Sequence, residues 1–570
     1  MSETMNCAQT TIPGAPDQQL FLRGDVKAEP LINRWYAWSY MISPVSYALI
    51  SRNLHMRVLE SYLKSPKLHA QASRNQDLKG GLFVDYDGDL ATMRQFVDQS
   101  RGALQSLTQL GSDIVEFDSL LQTEATGDAM ASLYARLPES LRGRVELTYD
   151  LYNHPRMRFI EALFYDSPLY RQDLQCMSLS LMTGDERPFV LSSPRLPDEK
   201  SLTVSWPFAD PRWDQLFAMR QNAKSVSEFC ALVGWEQLSL DERAHWSRFV
   251  TTTPPPVRST SLPDGEVRIR YFGHATVLMY SNEVSVLTDP IVAYPMDGAV
   301  PRYSFHDLPD RIDYVVLTHN HQDHVMFETL LQLRHRIGTI VVPKSGPGTL
   351  PDLSLKLMLQ ATGFAHVVEL GELETLPIAN GQILGVPFLG EHGDLELQTK
   401  LAFRVQIRQT SALFAADSDN LDPELYRRAA AKIAPLNHLF IGMECVGAPM
   451  SWVYGPLFTR PPDRRCDQAR RLNGSDAERA WHMVDTLQPD AVHIYAMGSE
   501  PWLTFISSIE YHTDSPAIVE SDRLIARCNE AGIPASRLYG RHEIPCQRIP
   551  VSAAPTADMS RPALDALAVA

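Results

Sequence analysis

The chain has 570 residues, 44% of them hydrophobic, enough to bury substantial cores and more than one domain usually holds. Its 68 acidic against 52 basic side chains leave a net charge of −16, which argues against nucleic acid as the main partner. There is no run of 18 apolar residues and no basic, apolar leader at the N-terminus, so a soluble, cytoplasmic protein without a membrane partner is expected. Seven cysteines (Cys7, Cys176, Cys230, Cys445, Cys466, Cys528 and Cys546) form no C-x-x-C pair and read as reduced, mostly structural thiols, Cys445 among them as a buried spectator.

Residues 1–20 are polar and aperiodic and are expected to form a mobile arm. A first domain, read as α+β, then spans 21–250. Its most distinctive stretch is Asn33-Arg34-Trp35-Tyr36-Ala37-Trp38-Ser39-Tyr40-Met41-Ile42-Ser43-Pro44, too short and too interrupted by proline to span a membrane, and therefore core or subunit interface. Helical periodicity follows at 45–62, 93–111, 128–136 and 214–221, 78–85 reads as a turn into a strand, and 146–152 reads as a strand. The Gly80-Gly81 pair lacks the Lys-Ser or Lys-Thr of a phosphate loop, so no nucleotide site is assigned. Ser239-Leu240-Asp241-Glu242 has the capping-box form and starts a helix reaching Phe249. Nothing in this domain carries a motif for chemistry. Pro254-Pro255-Pro256 cannot donate to a β-ladder, which marks 251–264 as a linker.

The second domain, 265–550, opens with strands at 266–272, 276–280 and 284–290. The apolar run Tyr314-Val315-Val316-Leu317 then delivers Thr318-His319-Asn320-His321-Gln322-Asp323-His324. Residues two apart on an extended strand end project to one side, which places His319 and His321 on one metal ion and leaves Asp323 and His324 to reach a second. Asp323 is also the expected N-cap of a helix with apolar positions Phe327, Leu330, Leu331 and Ile337. Further strands are expected at 338–343, 365–370, 383–389 (ending in Gly390-Glu391-His392), 411–416 (ending at Asp417) and 491–495. Residues 551–570, small and rich in Pro and Ala, read as a disordered tail.

The H-x-H-x-D-H motif at a buried strand end resembles the metallo-β-lactamase superfamily over about 265–546. The resemblance implies an α/β fold, an αββα sandwich with a two-metal site at one edge, preceded here by the α+β domain. It further implies that Asp417 bridges both metals, that Asp289 supports a ligand imidazole, and that His274 of Gly273-His274-Ala275 is a supporting or pocket residue. The superfamily holds zinc hydrolases and iron oxygenases, so the site must decide the chemistry. Glu391 and His392 are neighbours on an extended chain, so one of them is the ligand. Glu391 gives three imidazoles and three carboxylates, an oxygen-rich set that suits iron. His392 gives a zinc hydrolase, such as a lactonase or phosphodiesterase.

The aromatic segment 33–44, the metal motif, Gly390-Glu391, Ala416-Asp417-Ser418 and Tyr495-Ala496-Met497-Gly498-Ser499-Glu500-Pro501-Trp502 together resemble the diiron β-hydroxylases of non-ribosomal peptide biosynthesis, the family of the chloramphenicol-pathway enzyme, over nearly the whole chain. That resemblance implies two irons, one on His319, His321 and Glu391 and the other on Asp323 and His324, with Asp417 bridging and Glu391 and Asp417 central to catalysis. His493 is a candidate further ligand, against a structural histidine. Also implied are O2 as cosubstrate, an external electron donor such as a reductase or ferredoxin, an amino acid held as a thioester on a carrier domain, and a homodimer through the first domain. Arg460, Arg464, Arg465, Arg470 and Arg471 form either a solvated loop or a contact for an acidic carrier, and 447–455 has the make-up of a lid. The competing readings are the zinc hydrolase and a metal-bound scaffolding subunit without turnover.

Overall fold

The computed structural model describes residues 16–75, 78–256 and 261–546. Residues 1–15 of the expected arm, 257–260 of the expected linker and the whole expected tail lie outside it.

Strands covered on both faces must carry apolar side chains in both directions. In the second domain Val277, Met279, Val286 and Val316 face one core, while their neighbours Leu278, Tyr280, Leu287 and Val315 face another. These strands belong to a seven-stranded sheet in the order Val367–Leu370, Ile337–Pro343, Ile312–Val316, Ser285–Thr288, Thr276–Tyr280, Arg268–Gly273, His542–Ile544. A second seven-stranded sheet runs Thr375–Ile378, Gly381–Val386, Ala402–Ile407, Thr410–Phe414, His438–Gly442, Ala491–Tyr495, Ala535–Arg537. Ile269, Tyr271 and Met279 of the first pack with Phe403, Phe414 and Phe440 of the second. Helices Glu424–Ile433, Ala477–Leu487 and Pro516–Glu530 cover the outer face of the second sheet. This is the expected αββα sandwich. Parallel pairing sets the carboxyl ends of Ser285–Thr288 and Ile312–Val316 side by side, and likewise those of Thr410–Phe414 and His438–Gly442. Ligand sites form at such carboxyl ends.

The N-terminal domain covers the outer face of the first sheet. One apolar core runs unbroken from Trp35, Tyr40 and Trp213 through Leu278, Leu287 and Val315. Its four-stranded sheet has the order Trp35–Tyr36, Val26–Ile32, Gln175–Leu181, Ser201–Val204. The aromatic stretch is thus core within this chain, with Trp35, Tyr36, Trp38 and Tyr40 buried. The periodicity at 45–62 is two helices, Pro44–Ile50 and Met56–Lys64, joined through the π turn Ser51–His55. That at 93–111 divides at Leu104 into Leu90–Ala103 and Gln105–Glu124. Among the described residues of 78–85 there are turns and no strand, because Gly80 takes a left-handed φ of 76°. Gln19–Leu22, partly within the expected arm, pairs with Val250–Thr251 at the start of the expected linker.

Every residue of helix Phe327–Leu333, which follows the metal motif, is buried, including Glu328. Glu328 accepts from the Tyr36 hydroxyl at 2.7 Å and from Arg187 Nη2 at 2.6 Å. The same Arg187 nitrogen reaches Glu29 at 2.7 Å, and Arg195 Nε adds a contact at 3.2 Å. Burial pushes Glu29 up, but Arg187, Lys27 and Arg195 outweigh it and hold the carboxyl well below its ordinary value. Arg187→Ala leaves two buried carboxylates without their shared cation and is expected to destabilise the protein by about 3–5 kcal/mol, read by denaturant unfolding. Because the folded value of Glu29 is depressed, its contribution is whole above the ordinary value of 4.5 and is lost as pH falls through the lower folded one. The wild-type excess over the variant should therefore shrink only on acidification.

Candidate metal centre

The ligand-bearing segments leave their strands through strained corners. His274, Asp289, Glu391 and Ala416 have φ of 49°, 33°, 65° and 47°. A non-glycine residue in the left-handed region costs on the order of 1–3 kcal/mol and persists only where its surroundings enforce it. Here each corner turns a side chain, or the one following it, toward the cleft between the sheets. The turn at Gly273-His274 is held by Glu500, which accepts from the His274 amide at 3.0 Å and the Tyr271 hydroxyl at 2.7 Å, and a Cβ at Gly273 would meet Trp502 at 2.7 Å.

Potential ligand atoms fall into three mutually close groups: His319 with His321 and Glu391, His319 with His324 and Asp417, and His274 with Asp323 and His324. Asp417 Oδ2 lies 3.0 Å from His324 Nε2 and 3.9 Å from His319 Nε2, between the two ends of the site. Hydrogen bonds on the far sides of the rings determine which nitrogen faces inward. Asp289, fully buried, accepts from the Thr318 amide at 2.7 Å, the Thr318 hydroxyl at 2.6 Å and His324 Nδ1 at 2.9 Å. His324 therefore presents Nε2. Thr318 Oγ1 lies 3.0 Å from His319 Nδ1, so His319 also presents Nε2. His321 is reversed: its Nδ1 faces Glu391 Oε1 at 2.6 Å, and its Nε2 meets the Tyr454 hydroxyl at 2.8 Å.

The structure brings His319, His321, Asp323, His324, Glu391 and Asp417 together. It does not bring His493 to them. That residue sits mid-strand with its Nε2 3.1 Å from His438 Nδ1, and burial lowers its pKa to about 3. Asp323 is not the helix cap; the N-cap is Met326, and Asp323 turns to His274 Nε2 at 3.4 Å. His274 Nδ1 accepts from the Gly498 amide at 3.1 Å, and its buried Nε2 has no hydrogen-bond partner, so His274 stands in the third group beside Asp323 and His324. The opposed directions expected for Glu391 and His392 do not occur, because strand Gly381–Val386 has ended and Gly390 and Glu391 are both left-handed. Both side chains face the site. His392 lies in none of the three groups: its Nδ1 meets the Tyr454 hydroxyl at 2.8 Å and its Nε2 stands 3.4 Å from Glu391 Oε2.

Three contributors were missed by sequence reasoning. Glu444 follows strand His438–Gly442, the parallel neighbour of the strand that delivers Asp417, and lines the site's cavity. Its place just beyond a strand's carboxyl end was the available signal. Tyr454 lay within the segment 447–455 read as a lid, though not as a partner of His321, and Lys79 gave no signal. Lys79 and Gly80 of the N-terminal domain face Glu391, Asp417 and Glu444 across a cavity of about 210 Å³, whose wall includes Trp452 and Leu472.

The donor set fits two metal ions. His319 Nε2, Glu391 Oε2 and Asp417 Oδ1 are buried without hydrogen-bond partners, and they converge. Burial and the carboxylates of Asp417, Asp323 and Glu391 push Glu444 well above its ordinary value, and burial pushes Glu391 up as well. Such concentrated like charge demands cations. Asp289→Asn removes the carboxylate that orients His324 directly and His319 through Thr318. Metal affinity should fall about 10–100-fold, measured by chelator competition, with the fold retained by circular dichroism.

Residues 21–254 match the family described as "Diiron non-heme beta-hydroxylase N-terminal domain", and 285–451 match "Beta-lactamase superfamily domain". The 4-amino-L-phenylalanyl-[CmlP-peptidyl-carrier-protein] 3-hydroxylase of Streptomyces venezuelae is 37% identical over 532 residues, covering 92% of this chain and 99% of that one. The crystal structure of CmlA, a diiron β-hydroxylase from Streptomyces venezuelae, superposes with a TM-score of 0.88 at 36% identity, covering 93% and 99% of the two chains. A point-mutant structure of CmlA gives a TM-score of 0.85 at 36% identity, covering 92% and 99%.

Proposed function

The chain belongs to the diiron β-hydroxylase family, and we propose that it hydroxylates the β-carbon of an amino acid held as a thioester on a carrier domain of a non-ribosomal peptide synthetase, using O2 and external electrons. The observation that carries this reading is the donor set: a His-His-Glu group and a group holding Asp323 and His324, with Asp417 between them. His319, His321 and Glu391 would hold one iron, Asp323 and His324 the other, and Asp417 would bridge. Bound there, the irons supply O2 activation. The relative is named for acting on an aminoacyl carrier protein at the 3-position, which supports the substrate class.

What this chain's residues contribute is position and dryness. His319 and His321 are buried to 4% exposure or less, and Trp452, Val453 and Leu472 screen the cavity. A second cavity of about 520 Å³ shares Lys79, Ser508 and Ile509 with the first, giving length for an extended, tethered substrate. No nucleophile paired with a general base is needed, and His392, the ligand that a zinc hydrolase would use here, belongs to none of the three ligand groups. The electron donor is an external reductase or ferredoxin. A cytoplasmic location agrees with the free cysteines among the described residues, and no helix there is long and apolar enough to cross a membrane. A homodimer through the first domain is supported by the exposed hairpin tip Leu151–Tyr152.

The first test is metal analysis with an optical spectrum on wild type and Glu391→Ala, followed by a mass-spectrometric assay with aminoacyl-loaded carrier domains. Expected are two irons per chain, near-ultraviolet and visible absorption altered by the substitution, and a gain of one oxygen on the amino acid that Glu391→Ala loses by more than about a hundredfold. Two zincs, no colour and no effect of Glu391→Ala would sink the reading.

A further inference from the structure

If the substrate arrives on a carrier domain, some surface beside the cavity must receive that domain, and the inference drawn here rests on that functional reading. We propose that segment 460–471, with Arg460, Arg464 and Arg465 at its exposed face, is the docking surface for the acidic carrier domain.

The first argument is charge. Arg460, Arg464 and Arg465 are exposed, and among the described residues none of them has an ion pair. Other exposed arginines are divided, Arg101, Arg136, Arg158 and Arg523 meeting Glu60, Glu124, Glu146 and Glu520 while Arg94 and Arg428 meet no carboxylate among the described residues, so what sets this segment apart is the number of its arginines within twelve residues. The two acids of the segment are occupied within it or beside it. Asp463 caps the helix Arg464–Ala469 by accepting from the Cys466 amide at 2.9 Å, and Asp467 accepts from the Ser451 amide at 3.0 Å and hydroxyl at 2.7 Å. Five arginines against two engaged carboxylates leave a positive patch on a chain of net charge −16. A solvated loop explains the exposure of these side chains but not their concentration.

The second argument is position. Arg470 is bonded to the segments that carry the wall of the metal cavity: its carbonyl accepts from the Met450 amide at 2.9 Å, and its Nε donates at 2.7 Å to the carbonyl of Gly393, two residues after Glu391. Arg471 Nε donates to the carbonyl of Gly447 at 2.8 Å, and the Leu472 amide donates to Ala448, with Ala448 and Leu472 both lining the cavity. A domain resting on the exposed arginines therefore sits on the outer side of that wall. The third argument is chemistry. Carrier domains are acidic and bear a phosphodiester at the root of their tether, and guanidinium binds carboxylate and phosphate in a two-point geometry that an ammonium lacks. The small extent of the patch and the overall negative charge disfavour nucleic acid.

The test uses the iron-loaded enzyme and the aminoacyl-loaded carrier domain that the wild type hydroxylates, comparing wild type, Arg464→Glu/Arg465→Glu, and Arg94→Glu and Arg428→Glu as exposed charge-reversal controls on other helices. Expected for the double variant is a KM for the loaded carrier raised about tenfold or more, kcat within about twofold, and a flatter dependence of kcat/KM on salt, with iron content and optical spectrum unchanged. Arg464→Gln/Arg465→Gln should lie between, and it replaces the double reversal if that variant loses iron. An unchanged KM, or an equal rise in the controls, overturns the docking surface while leaving the functional reading in place. A wild type that hydroxylates no loaded carrier domain overturns the reading and the surface with it.

Discussion

The constraint on which this structure depends is the gathering of Asp323, Glu391, Asp417 and Glu444 around three buried imidazoles. Carboxylates withdrawn from water and set beside one another raise each other's proton affinity, as Glu391 and Glu444 show. Asp323 is held low instead, because His274, His324 and His321 outweigh its burial. Such a cluster is tolerable only around cations, and it stays ready for them only if the chain cannot relax away. The left-handed corners at His274, Asp289, Glu391 and Ala416 are strain that the sandwich around them enforces. Asp289, with three donors on one carboxylate, converts the rigidity of the strand ends into the orientation of two rings.

Read this way, the N-terminal domain is a second support for the metal loop rather than an appendage. Its Ser39 hydroxyl donates to Asn320, which stands between His319 and His321, and its Tyr36 and Arg187 engage Glu328 on the helix that follows. A helix with every residue buried, two of them glutamate and glutamine, is unstable against its own sheet alone. The first domain makes it stable by supplying donors for Glu328 and, through Arg220, for Gln332 at 2.6 Å. The first domain also closes the cavity with Lys79 and Gly80.

What was legible in the sequence was what is local. His319, His321, Asp323 and His324 lie within six residues, and Glu391 and Asp417 follow strand ends, so spacing and an apolar run were enough to find them. His493 was a candidate because it belongs to the apolar run 491–495, yet it lies within that strand and not beyond it, and its ring packs against His438 and Phe440. The segment of Tyr454 was placed over the pocket but its partner was not, since that tyrosine comes 133 residues after His321, and Lys79 comes from another domain, so only packing brings them to the site. The Asp323 cap and the opposed Glu391 and His392 failed for one reason. Both assumed regular backbone where the chain makes a left-handed or irregular corner, and such corners are where functional chains depart from local rules. The triple proline marked a change of domain but not a break in the core, since Trp35 and Trp213 before it share one cluster with Leu278, Leu287 and Val315 after it.

The reversed His321 ties the surface of the site to its interior. Its inward nitrogen is Nδ1 because Nε2 is taken by Tyr454, whose hydroxyl accepts from that ring and donates to His392 Nδ1. His392 in turn keeps Nε2 toward Glu391, so one hydroxyl on segment 447–458 steadies two residues of the same ligand group. Lifting that segment would leave two buried imidazole nitrogens without partners, at about 1–3 kcal/mol each, and would free both side chains to rotate. In this structure the segment forms part of the cavity wall, through Ala448, Trp452 and Val453. Trp452 of the same segment donates its indole N–H to the Gly80 carbonyl at 3.0 Å, which carries this wall to the edge that the metal cavity shares, through Lys79, Ser508 and Ile509, with the larger cavity beside it.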